Sequence, residues 1–334
     1  MWAHLKRDKY FIICISFLLL LIIVSIGNSI FFDGKVRQTS ILYDESGNVQ
    51  AAPFPPSFTF LLGTDMKGFD LLHRVVDGAK WTIGISLLIA FLRTFIGLAI
   101  GLFFAFYVRK SFKTLEALFD CFTVVPMTLI GYFILDTVLR FQNGSPAPSF
   151  FERASFEIVV LVILALPVLI FYFAKETKKI LNEEFIEAAT ILGGSKFHLA
   201  IKHIFPNIFP ILIIVMMQQF VQTLIIFSHF GILELFFGGT ILFYGNEAES
   251  VSNEWSGLIG LYFRSLSVQP WIPMVPITFF ILTIITAHIM LQRIQLAFEK
   301  RHMKQTSQEP IEQLNTSNFT QQFPANSFTL YDDK

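Results

Sequence analysis

Arg93 is a lone guanidinium near the middle of a long apolar run, 83–107. An unpaired arginine at mid-bilayer costs at least about 2.5–3.5 kcal/mol on insertion scales, so it must face protein or water. It suits a polar path through a membrane, or a pairing with a carboxylate such as Asp136 or one on a partner subunit; backbone carbonyls alone are the other way to satisfy it. The remaining candidates for chemistry are scattered. His198, His203, His229 and His288 share no ligand spacing. Asp65 and Asp70 lie in a turn-rich segment and read as turn residues, not as a metal or acid–base pair. Gly34-Lys35 is followed by Val36 and lacks the upstream glycine of a phosphate loop, so ATP is not bound by that device. No Ser/His/Asp or Cys/His set stands out, and neither a catalytic residue, a cofactor nor a metal is expected. Cys14 and Cys121 fall in or beside apolar runs and read as small hydrophobes.

The densest polar constellation is 183–207, a charged segment between two apolar runs. Over 176–192, polar Glu176, Lys179, Glu183, Glu184 and Glu187 alternate with Phe185, Ala188, Ala189 and Leu192 at the spacing of a helix with one apolar stripe. Gly193-Gly194 ends that helix, because glycine tolerates the left-handed conformation of a C-cap. Ser195 can cap the next. Phe197, Ala200, Ile201 and Ile204 then repeat at helical spacing in a stretch that stops at Pro206. Ala188 and Ala189 leave room for close approach by a partner. From the residues alone, docking to another protein and resting on a membrane surface are both open.

The elements that must position these residues are membrane spans. The chain has 334 residues, 54% hydrophobic and only 15% charged, against about 25% charged in an ordinary soluble domain. Its mean hydropathy is +0.60. A formal net charge of zero argues against nucleic acid as a partner. A span needs about 20 apolar residues, and six runs qualify: 11–32, 83–107, 119–141, 156–174, 207–230 and 272–292. The first follows Lys6, Arg7 and Lys9, as a secretory signal would, but it is long and has no clear cleavage site after it, so it reads as an uncleaved anchor. Arg109, Lys110 and Lys113, then Lys175, Lys178, Lys179, Lys196 and Lys202, then Arg293, Lys300, Arg301 and Lys304 fall on one side. The loop between spans five and six carries Arg264 with Glu234, Glu247, Glu249 and Glu254. The positive-inside rule then puts both ends and the 183–207 segment in the cytosol. The polar stretch 305–334 is expected to be disordered.

Glu187-Ala188-Ala189, three residues, Gly193, then His203-Ile204-Phe205-Pro206-Asn207 closely resembles the "EAA loop" of ATP-binding-cassette importer permeases. The dipeptide/oligopeptide branch has His-Ile-Leu-Pro-Asn at this spacing. Leu62-Gly63-Thr64-Asp65-Met66-Lys67-Gly68-Phe69-Asp70 is similar to the Leu-Gly-Thr-Asp-x-x-Gly-Arg-Asp segment of that branch's C-type subunit. Gly78-Ala79-Lys80, Pro126, Leu166-Pro167, Glu176, Glu254-Trp255 and Pro270-Trp271-Ile272 also have counterparts, although tryptophan before a span is an interface anchor in any membrane protein. Three segments depart: Gln292-Arg293-Ile294-Gln295-Leu296 replaces Gly-Asp-Gly-x-Arg-Asp, Leu233 to Gly239 replaces Ser-Phe-Leu-Gly-Leu-Gly, and Phe171 and Ala174 replace arginines.

The resemblance implies an all-α membrane protein with six spans, of the type I importer kind, in a bacterial cell membrane. It implies an anchor and external loop over 1–80 (anchor about 11–32), a transmembrane domain over 81–300 with a cytosolic coupling loop at about 175–206, and a tail over 301–334. It implies a non-enzymatic permease subunit, half of a translocation path with a second, B-type permease, driven by two ATPases and fed by an external solute-binding protein. Glu187, Ala188, Ala189, Gly193 and Pro206 would couple to the ATPase, with dipeptides or oligopeptides as the leading substrates. The rival is a non-transporting scaffold or sensor that uses the same loop. Gly97 and Gly101, four apart in the second span, suit close packing of two helices.

Overall fold

Helix α1, Lys9–Phe31, begins where the Asp8 carboxylate accepts the backbone N–H groups of Tyr10 and Phe11 at 3.0 and 3.2 Å. The structure, a computed structural model, describes residues 5–32, 34–43, 49–108, 112–243 and 248–320; for 120–124 and 301–320 only the backbone is described. Arg109, Lys110, Glu247 and the side chains of Cys121, Arg301 and Lys304, all used in the sequence reading, lie outside the described residues.

After a short antiparallel pair, β1 Ile41–Tyr43 and β2 Val49–Ala51, the chain enters α2, Leu71–Tyr107, with Asp70 as N-cap. Then come α3, Phe112–Val124, and α4, Met127–Leu139. Strand β3, Arg140–Gln142, leads to α5, Phe150–Leu181, whose start is closed by a reciprocal Ser149–Glu152 capping box. Helices α6, Glu184–Ile191, and α7, Lys196–Leu199, precede α8, Phe205–Ile232. Strands β4, Thr240–Leu242, and β5, Ala248–Ser250, extend β3 into a small sheet in which β4 pairs parallel with β3 and β5 pairs antiparallel with β4. Helix α9, Trp255–Tyr262, and α10, Trp271–Thr320, complete the chain. Of the expected tail, 321–334 lies outside the described residues.

The fold is helical, as the apolar runs required, with two minor sheets confined to connections. Among the described residues, five helices are long and apolar enough to cross a membrane. The third expected span, 119–141, is divided: Pro126 is in extended conformation and serves as the N-cap of α4, so the run breaks into α3 and α4. Proline has no N–H to continue a helix and its ring crowds the preceding turn.

Helix α2 is the centre of the bundle. One face packs with α1, α8, α9 and α10 through Leu71, Ile83, Phe220, Trp255, Leu258 and Phe280. The other packs with α5 and α8 through Leu98, Leu169, Phe173 and Leu212. Trp255 is not the interface anchor its type suggested. It is fully buried, with its indole N–H donated to the Val75 carbonyl at 2.7 Å. Lipid offers no hydrophobic force between helices, so the bundle needs close backbone approach. Gly97 and Gly101 provide it: a Cβ on Gly97 would lie 2.9 Å from Leu169 Cβ, and one on Gly101 2.8 Å from Phe173 Cβ and 2.9 Å from the Ile170 carbonyl. The Gly-x-x-x-Gly pair is thus spent inside this chain.

Gly101→Ala is expected to force α2 from α5, at a cost of about 1–3 kcal/mol, seen as a lower unfolding midpoint in detergent. Gly84→Ala is the control, since a Cβ there meets nothing within 4 Å.

Candidate functional site

The 183–207 segment forms a ledge at one end of the bundle. Its helices are shorter than the sequence suggested. No single helix covers 176–192, because α5 closes at Asn182 and α6 starts anew from Glu183. At the far end of α6, the Gly194 N–H reaches the Ala189 carbonyl at 3.1 Å and the Gly193 N–H the Thr190 carbonyl at 3.0 Å. These are the paired bonds of a Schellman cap. Gly193 has φ +88°, which a side chain would disfavour. Ser195 caps α7 as expected, accepting the His198 N–H at 3.2 Å.

The second stretch does not stop at Pro206. A π turn, Ala200–Ile204, carries α7 directly into α8. The wider turn shifts the Phe205 N–H to the Ala200 carbonyl and gives the proline ring room in an unbroken helix.

The ledge is pinned by Ile186, Leu199 and Ile204, which are buried against Leu102, Phe106, Ile180 and Leu181 from the ends of α2 and α5. Ala189 joins that inner side. The stripe read from the sequence therefore faces outward in part: Phe185, Ala188 and Leu192 are exposed, as is polar Glu187. Leu192 is 87% exposed, and beside it stand Ile191 and Phe197, 81% and 76% exposed, and Ile201. Ile186 and Leu199, the true inner contacts, and Ile191, on the outer face, were not singled out in the sequence. Their one signal was apolar type next to the motif. His198 and His203 pack ring to ring at 5.9 Å, with Phe185 on His203.

Arg93 is far from the ledge and fully enclosed. Its Nε and one terminal nitrogen both donate to the Leu161 carbonyl of α5, at 2.9 and 2.7 Å. The other donates to Thr223 Oγ1 at 3.2 Å and Gln219 Oε1 at 3.5 Å on α8, while the terminal nitrogen on Leu161 also lies 3.8 Å from the Met127 sulfur of α4. The expected pairing with Asp136 does not occur. That carboxylate lies 3.1 Å from Arg140, four residues on and just past the end of α4. Neutral acceptors on three helices satisfy Arg93.

At the end opposite the ledge, the segment resembling the C-type signature is locked by a buried triad. Asp65 Oδ1 accepts the N–H groups of Lys67 and Phe69 at 2.9 and 2.8 Å; Oδ2 accepts the Tyr262 hydroxyl at 2.8 Å and lies 3.2 Å from Arg74. Arg74 also donates to the Tyr262 oxygen at 2.6 Å. Burial above all, and Asp65 with it, holds the Tyr262 phenol above its ordinary range against the opposing pull of Arg74, so it remains a donor. Asp70 caps α2. Neither aspartate is arranged for acid–base work. Beside the triad opens a cleft of about 380 Å³, edged by the ion pairs Lys67–Glu249 and Arg264–Glu234. The divergent 233–239 loop folds over Glu254, which accepts from the backbone of Phe237 and Gly257 and from Ser256.

Residues 97–303 match the family described as binding-protein-dependent transport system inner membrane component. Peptide transport system permease protein SapC of Haemophilus influenzae is 26% identical over 241 residues, covering 70% of this chain and 74% of that protein. SapC of Escherichia coli O6:H1 is 25% identical over 228 residues, 66% of this chain and 69% of its own. Oligopeptide transport system permease protein OppC of Haemophilus influenzae is 23% identical over 241 residues, 71% and 68% of the two chains.

Arg93→Ala is expected to lower stability by about 2–5 kcal/mol, as a cavity opens among three helices. Arg93→Met keeps most of the volume and should cost less than about 1.5 kcal/mol, because Thr223 also donates to the Gln219 carbonyl and keeps a partner without the arginine. Thermal unfolding of both variants in detergent checks the difference. Gly193→Ala should strain the ledge by about 1–2 kcal/mol, measured as faster amide exchange over 184–199 with the bundle unchanged.

Proposed function

The chain belongs to the binding-protein-dependent transport system inner membrane component family, and from that membership we propose how it works as the permease subunit of a bacterial peptide importer. It is a multi-pass protein of the inner membrane. We place the ledge in the cytosol, with both chain ends, on the distribution of lysine and arginine, and count α3 and α4 together as the sixth crossing. We take 1–80 as the anchor and outer segment, 81–300 as the transport domain and 301–334 as a tail.

The observation that carries the coupling proposal is the exposed apolar surface of Ile191, Leu192 and Phe197 on a ledge that is itself pinned to the ends of α2 and α5. An apolar patch of this kind marks a contact site. Helix α6 carries Glu184 and Glu187 and no lysine or arginine, whereas helices that lie on a membrane are usually rich in basic residues. That supports a protein partner, an ATPase subunit, over the lipid surface. Glu187 and Ala188 would meet it directly, Ala189 and Gly193 would hold the shape of the ledge, and Pro206 would stand at its junction with α8. A push on the ledge would reach α2 and α5 through Ile186, Leu199 and Ile204. Arg93, enclosed by protein, would keep α2, α5 and α8 moving as one body instead of lining the path. Peptides, passed from an external binding protein and carried between this chain and a second permease, are the substrates the relatives suggest.

Leu192→Asp and Phe197→Asp lie on the surface and are expected to leave the fold intact. Each should remove a copurifying ATPase subunit from the tagged, gently solubilised protein, and abolish peptide-stimulated ATP hydrolysis in the reconstituted complex. If the ATPase remains bound in both variants, the ledge is not its site. A folded wild-type chain that retains no ATPase would favour a scaffold.

A further inference from the structure

The start of the chain and the far part of α10 close around an open cleft of about 260 Å³ at the same end of the bundle as the ledge. Arg7, Arg293 and Lys300 line it, with Asp8 as the one carboxylate. Asp8 is already engaged as the cap of α1. Its second oxygen lies 3.8 Å from Arg293, beyond hydrogen-bond length. The Arg293 guanidinium is held over the Tyr10 ring at 4.4 Å, which fixes its plane and leaves its N–H groups without a hydrogen-bond acceptor among the described residues. Arg7 and Lys300 have no ion-pair partner among the described residues. Cations at span ends are ordinary; here they converge from two separate segments on one cleft, with an excess of positive charge inside it. Leu296 and Ala297 give it a small apolar side, with Leu5 buried beneath, and Leu296 is exposed. Arg293 also lies in the segment that departs from the family pattern.

We propose that this cleft binds the phosphate of an anionic phospholipid from the surrounding leaflet. Arg7, Arg293 and Lys300 take the headgroup, and exposed Leu296 meets the first part of an acyl chain. A basic pocket between spans suits such headgroups, and the apolar side favours a lipid over a free phosphate ion. The bound lipid would bridge α1 and α10. The site needs only that the two segments lie at one end of the bundle, so it stands apart from ATPase coupling.

The test is native mass spectrometry of the full-length protein in detergent, titrated with phosphatidylglycerol or phosphatidylcholine. Phosphatidylglycerol should bind at least tenfold more tightly. Joint Arg7→Gln, Arg293→Gln and Lys300→Gln replacement should remove that preference with only a small drop in the lipid-free unfolding midpoint from the lost Arg293–Tyr10 contact, and Arg293→Lys should keep most of it. Should the triple variant fail to fold, a salt titration of the wild type decides: screening must weaken the phosphatidylglycerol adduct. Equal binding of both lipids, full retention in a folded triple variant, insensitivity to salt, or displacement of the lipid by millimolar inorganic phosphate would each overturn the proposal.

Discussion

A bilayer gives helices no hydrophobic reason to associate, and the bundle is arranged around that constraint. Its answer is α2. Where α2 meets α5, glycines let the two backbones approach until a single methyl group would collide. Four residues before Gly97, Arg93 reaches across to the Leu161 carbonyl and to Thr223. Near the start of the same helix, Arg74 closes the Asp65–Tyr262 triad. Ser25 and Lys80 join α1 to α2 by 3.1 Å hydrogen bonds. Contact and polar clasps together replace the driving force that water supplies to a soluble protein.

This arrangement explains how a small ledge can matter to a large bundle. The ledge touches the ends of α2 and α5 through a few buried side chains, and those two helices are closely packed at Gly97 and Gly101. Its π turn runs without a break into α8, the third helix Arg93 holds. A load on the ledge therefore has a continuous packed route into three spans. The end opposite the ledge is built differently. Its connections are fixed by buried hydrogen bonds to Asp65 and Glu254 and by partly exposed ion pairs around an open cleft, a rigid rim able to face water.

Much of this was legible in the residues. Apolar runs of the length a bilayer demands located the long helices, because that length is set by the membrane and not by packing. Gly193, Gly194 and Ser195 determined the turn of the ledge, since backbone conformation and capping are local properties that residue type decides directly. Pro126 marked a disturbance for the same reason. The tertiary structure alone decided what faced what. Period and composition place Phe185, Ala188 and Leu192 on one stripe, but whether that stripe looks inward depends on where α2 and α5 end, and they left it outside in favour of Ile186. Trp255 has the type of an interface residue and became core because α9 folds back among the spans. Arg93 had to be satisfied by something. Only the approach of α5 and α8 selected a carbonyl and a hydroxyl over a carboxylate, because partners distant in sequence are chosen by packing, which no local pattern records.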